Sequence, residues 1–115
     1  MTAQQLSKII AKGMEEKKAS DILVMDLRSV KDTVTDFFVI CSGNSGTQLD
    51  AISKSIEEQV HKAAESPAWK VEGRSNGQWI LMDYVNVVAH IFLADKRAYY
   101  GLEDLWGDAK TTRIS

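Results

Sequence analysis

Two histidines, one cysteine, a glycine-rich turn and scattered carboxylates are the groups in this chain with the means to do chemistry. A reaction needs them to converge, and their spacing gives little convergence. His61 follows Glu57 by one helical turn, the separation of a surface side-chain pair. His90 alternates with apolar neighbours, as a satisfied sheet histidine does; neither histidine has metal-ligand spacing around it. Cys41 ends an apolar run, which suits a buried structural thiol, because reactivity needs exposure and a lowered pKa. The turn Ser42-Gly43-Asn44-Ser45-Gly46 could hold a phosphate on backbone amides at a helix start. No lysine follows it in the phosphate-loop pattern, and no GxGxxG spacing is present. A nucleotidyl-transfer enzyme would also need two close carboxylates for metal ions, and Asp50 stands alone. Asp36, Glu72 and Asp83 fall at strand ends or within strands, where carboxylates are usually exposed or cap turns.

The aromatic residues make a stronger set: Trp69, Trp79, Tyr84, Phe92, Tyr99, Tyr100 and Trp106. Trp and Tyr, with Arg97 nearby, are the residue types that anchor protein interfaces. Trp69, Phe92 and Trp106 are expected in the core, and Trp79, Tyr84 and Tyr99 at least partly exposed. The stretch Gln78 to Tyr84 places Trp79 and Leu81 on one side of a strand and Ile80 and Met82 on the other. A strand apolar on both faces is either buried between two layers or carries one face meant for a partner.

These side chains need elements to hold them. Thr2 and Gln5 read as a capping box that opens a helix with a Leu6, Ile9, Ile10 and Met14 stripe, weakened by Gly13. Asp21 to Leu27 and Asp36 to Cys41 read as strands apolar on both faces. Asn44 or Ser45 caps a long helix from about Gly46 to Glu65, whose Leu49, Ile52, Ile56 and Val60 lie on the sheet. Pro67 separates it from a strand over Trp69 to Gly73. Ser75-Asn76-Gly77 then turns a hairpin into Gln78 to Tyr84, with Val87 to Leu93 as the fifth strand. Asp95 is expected to cap a short helix, and the residues after it form a loose tail. The fold class is therefore α/β: one domain over residues 1–109, with a mixed sheet of about five strands, one long and two terminal helices, and a tail over 110–115.

With 115 residues and 44% hydrophobic content, the chain suits one domain with its own core. Its net charge of −2 and interspersed charges argue against a free-standing nucleic-acid binder, which usually carries a basic face. One cysteine allows no internal disulfide. No apolar run reaches membrane-spanning length, and Met1-Thr2-Ala3-Gln4-Gln5 lacks the features of a signal or transit peptide, so a cytoplasmic protein without membrane association is expected.

An ordered set of segments carries a family resemblance. These are Asp36-Phe37-Phe38-Val39-Ile40-Cys41-Ser42-Gly43, Glu72-Gly73, Gly77-Gln78-Trp79 with Asp83-Tyr84, Val87-Val88-Ala89-His90-Ile91-Phe92, and Arg97-Ala98-Tyr99-Tyr100-Gly101-Leu102-Glu103-Asp104-Leu105-Trp106. In this order and spacing the chain resembles the ribosomal silencing factor family (RsfS, also called Iojap) over about residues 3 to 109. The resemblance implies a nucleotidyltransferase-like fold without the enzyme's carboxylates, no cofactor and no catalysis. It implies binding to the large ribosomal subunit through its ribosomal protein numbered fourteen. That contact would block joining of the small subunit and repress translation; organelle relatives serve large-subunit assembly. The partner-binding positions it implies are Trp79, Leu81, Asp83, Tyr84, Arg97 and Tyr99. The family usually has Gly-Asp after Asp-Tyr, where this chain has Val85-Asn86. An exposed apolar strand face would also allow the free protein to form a homodimer. The competing expectation is a phosphate- or nucleotide-handling enzyme built on the Gly43 turn. Direct sequence-specific nucleic-acid binding is not expected.

Overall fold

The computed structural model describes residues 1–30, 33, 35–64, 67–105 and 109–114. Helix α1 spans Ala3–Glu16, strand β1 Ser20–Asp26, β2 Phe37–Gly43 and helix α2 Gly46–Ala64. They are followed by β3 Lys70–Glu72, β4 Trp79–Asp83, β5 Val87–Leu93, α3 Ala94–Tyr100, α4 Leu102–Leu105 and β6 Lys110–Arg113. The strands form one mixed sheet in the order β3-β4-β5-β2-β1-β6. Among the described residues, only the central β2–β5 pair is parallel.

Local chemistry explains the element starts. The Thr2 hydroxyl accepts from the Gln5 amide at 3.1 Å while Gln5 Oε1 accepts from the Thr2 amide at 2.9 Å, closing the expected capping box. At the other helix, Ser45 rather than Asn44 is the cap: its Oγ accepts from the Gln48 amide at 3.1 Å. Both helices lie on one face of the sheet. Their Ile10, Met14, Leu49, Ile52, Ile56 and Val60 meet Ile22, Val39, Cys41, Ile80, Met82 and Ile91 in one core. That settles the fourth strand: Ile80 and Met82 are its buried side. Cys41 lies in this core, and burial pushes its thiol pKa well above the usual range. The opposite face holds a smaller cluster of Met25, Ile40 and Phe92, packed by Phe38, Trp79 and Leu102.

Three expectations need correction. Lys110–Arg113, expected as tail, forms a sixth strand antiparallel to β1. All four residues are exposed, so they add backbone pairing to the open β1 edge without adding apolar burial, and hydrophobic patterning carries no trace of that. Asp95 does not cap α3. The cap position is Leu93, which has no capping side chain and still donates its amide to Gln78 O at 2.8 Å, so strand passes directly into helix. Trp69 is not in the core; it is 71% exposed at the sheet edge, where its amide donates to Asp83 O at 2.8 Å. Phe92 is fully buried as expected, while Trp106 lies outside the described residues.

The turn after β4 keeps the geometry glycine prefers. Val85 sits at φ +75° with its amide donating to Asp83 Oδ1 at 2.7 Å. A β-branched side chain is strained there. Val85→Gly should raise stability by about 1 kcal/mol, after subtracting glycine's larger unfolded-state entropy. Thermal melts should then show a midpoint a few degrees higher; an unchanged or lower midpoint would mean the turn holds no strain.

Candidate functional site

Strand alternation divides the six predicted binding residues. Trp79, Leu81 and Asp83 share the sheet face opposite α1 and α2, and all three are half-buried. Tyr84 falls on the other side, against the helix-packed core, where its buried hydroxyl has no hydrogen-bond partner among the described residues. Burial, with Glu57 next in effect, pushes that hydroxyl's pKa up to about 12. Tyr84 lines a groove of about 440 Å³ with Leu6, Pro67, Trp69 and Val85, away from the Trp79 strip.

Arg97 is turned inward. Its side chain is 11% exposed, and it donates to Asp21 O at 2.7 Å and Ser42 Oγ at 2.9 Å and pairs with Glu103. It fastens α3 and α4 to the ends of β1 and β2, so its contribution to any surface is to hold α3 in place. Tyr99, next to it but one on α3, is 81% exposed.

The structure links Tyr99 to the strip through a residue absent from the predicted set. Tyr100 lies 4.7 Å from Trp79 and 5.4 Å from Tyr99 between ring centroids, and its hydroxyl donates to Gln78 Oε1 at 3.3 Å. Behind Trp79, Phe92 stacks at 5.0 Å. A row of rings therefore rises from the buried face to the exposed tip of α3. Beside it, Glu72, Gly73, Asn76, Trp79 and Leu81 line a shallow depression of about 220 Å³. One Asp83 oxygen caps the following turn. Aromatic anchors beside a shallow hollow can seat a partner's side chain.

His90 was expected as a satisfied sheet histidine, and it is half satisfied. It is 3% exposed; Nδ1 accepts the Trp79 indole N–H at 3.1 Å, while Nε2 has no partner among the described residues. Hairpin arithmetic could have found this contact. The β4–β5 register pairs Trp79 with Phe92 and Leu81 with His90, which sets His90 on the Trp79 face.

Burial pushes the His90 imidazole down to about 3. An unfolded histidine takes up its proton near pH 6.5, whereas the folded one stays neutral to about pH 3. The unfolded state therefore binds more protons between those values, and folding stability falls as pH drops through them, by up to about 1.4 kcal/mol per unit. Urea melts at pH 7, 5.5 and 4.5 should show this slope, and His90→Phe should flatten it. An equal slope in both proteins would assign the acid sensitivity elsewhere.

Gln48 engages part of the glycine-rich turn. The Asn44 amide donates to Gln48 Oε1 at 2.7 Å, the Gln48 amide to Ser45 Oγ, and Gln48 Nε2 to Lys17 O at 3.2 Å. Glu57, expected to pair with His61, binds Arg74. Among the described residues no group of three or more His, Cys, Asp or Glu side chains could hold a metal ion, and no helix is long and apolar enough to cross a membrane.

Comparisons with known proteins bear on the chain's family and fold. The family model described as ribosomal silencing factor during starvation matches residues 1–115. A relative named ribosomal silencing factor RsfS, from Bacillus subtilis, is 40% identical over 109 residues, covering 95% of this chain and 91% of its own. A crystal structure of a Chromobacterium violaceum protein superposes with a TM-score of 0.87 at 29% identity, covering 100% of this chain and 94% of its own. A more distant mouse relative, 32% identical over 95 residues, is named mitochondrial assembly of ribosomal large subunit protein 1; the match covers 81% of this chain and 41% of that protein.

Proposed function

The chain belongs to the ribosomal silencing factor family, and from that premise we propose that it is a non-enzymatic repressor of translation that docks on the large ribosomal subunit. In this reading it binds the subunit's ribosomal protein numbered fourteen and blocks the small subunit by occupying the joining face. It acts in the cytoplasm, where it meets free subunits.

The observation that carries the reading is the row Trp79, Tyr100, Tyr99, half-buried at one end and 81% exposed at the other, with Leu81 and Asp83 beside it. The indole and Leu81 would fill the centre of the contact, Tyr99 its rim, and Asp83 would face a basic group. Arg97 serves by fixing α3. Tyr84 stays on the helix side and shapes the turn that carries Asp83.

The Asn44 amide of the Gly43 turn speaks against the phosphate-handling alternative, because a ligand binding there would have to displace Gln48. The mouse relative's name favours a second reading, assistance in large-subunit assembly. Cells lacking the protein would then accumulate immature large subunits during growth, whereas a silencing role leaves growing cells unaffected.

Co-sedimentation of the purified protein with large subunits, small subunits and intact ribosomes tests the proposal. Pelleting with large subunits alone is expected. Pelleting with intact ribosomes as well would move the site off the joining face, and no pelleting at all would return the enzyme reading.

A further inference from the structure

We infer that His90 is a positioning residue for the docking strip: its imidazole accepts the indole N–H of Trp79 and thereby sets the ring's pose at the surface. The inference rests on the docking role proposed for Trp79. Trp79 Nε1 lies 3.1 Å from His90 Nδ1, so Nδ1 is the acceptor and the single proton of the neutral ring is on Nε2. That proton has no acceptor among the described residues. A buried donor without an acceptor is a net cost, and a phenylalanine of similar shape would avoid it. Packing alone therefore gives no reason for an imidazole here; the Nδ1 acceptor does.

The surroundings make the acceptor rigid. The His90 ring stacks on Phe92 at 6.2 Å and 11°, and Phe38 meets it edge-on at 4.7 Å. Phe92 and Tyr100 pack on the indole from other directions. Packing leaves an indole able to slide or flip; a directional hydrogen bond to a fixed atom removes that freedom. Burial helps, because it keeps Nδ1 free of a proton that would turn acceptor into donor. A ring held in its bound pose before contact binds more tightly, since less ordering remains to be done on association.

The test uses the whole chain labelled with ¹⁵N-tryptophan. Its three indole N–H groups give three signals, and Trp79→Phe identifies the one from Trp79. In His90→Phe that signal should shift, with its solvent exchange at least about tenfold faster, while the thermal midpoint stays near wild type. Large-subunit affinity should fall by about five- to tenfold, the effect of losing one hydrogen bond. His90→Asn keeps an acceptor near Nδ1 and should recover most of both losses; failure to recover either one overturns the inference.

An unmoved Trp79 signal in His90→Phe overturns it outright. A moved signal with undiminished binding also overturns it, and leaves the docking reading intact if Trp79→Ala still prevents pelleting. If Trp79→Ala binds normally, the docking reading fails and the positioning role falls with it, whatever the spectrum shows.

Discussion

Trp79→Ala should weaken association with large subunits by at least about thirtyfold, the effect of truncating a central tryptophan in an interface. The indole is the hinge of the aromatic row. It touches Phe92 at 5.0 Å and Tyr100 at 4.7 Å, and its N–H is held by His90. Truncation removes the ring that would enter the partner and also the support beneath Tyr100, so the exposed end of the row loses its base. Tyr99→Ala, at the rim, should cost less, about three- to tenfold. Trp69→Ala serves as the control, because Trp69 is exposed just before the edge strand β3 and lines the groove away from the strip. Trp79 is half-buried, so its truncation will also lower stability. Binding must therefore be read well below the variant's thermal midpoint, and Trp79→Phe, which keeps a ring, should bind better than alanine. A folded Trp79→Ala protein that pelleted within twofold of wild type would remove the strip from the interface.

The second large effect is at a helix position where alanine would ordinarily help. In an exposed helix interior Gly→Ala gains about 1 kcal/mol from propensity. Gly13→Ala should instead lose about 2 to 4 kcal/mol. A methyl group there would lie 2.9 Å from Ile56 Cα and 3.2 Å from Ile56 N, and backbone atoms in the middle of α2 cannot turn aside. The two helices would have to part. Parting them loosens the core around Ile10, Met14, Ile52 and Ile56 and breaks the buried bond that Ser55 Oγ donates to Gly13 O at 2.8 Å. Urea denaturation gives the number directly, and the thermal midpoint should fall by about 10 °C or more for a domain of this size. A Gly13→Ala protein as stable as wild type would mean that α1 does not cross α2 closely in solution.

Gly13 also shows where reading residues along the chain reaches its limit. Read in line, it is a flaw in an amphipathic helix. Only the crossing of α1 and α2 turns the missing side chain into a requirement, because the need for space belongs to a neighbour 43 positions away. Lys110–Arg113 is the same lesson for strands. Its pairing with β1 is backbone chemistry between distant segments, and four exposed side chains leave no hydrophobic pattern to read. Arg97 and Tyr84 show it for the candidate site. Their types suit an interface, but the direction each side chain takes depends on the register of strands and on which carbonyl lies within reach.

What the sequence determined by itself was local. Alternation along Trp79 to Met82, the Thr2–Gln5 capping box, the helical stripes, and the run of motifs from Asp36 to Trp106 were enough for the α/β class and the family. Short-range sterics and periodicity write these features into neighbouring residues. The tertiary structure alone decided which face of β4 lies under the helices, that Arg97 turns inward, and that Tyr100 joins Trp79 to Tyr99. Each of these depends on a distance between segments remote in sequence, and such distances are set only when the layers pack.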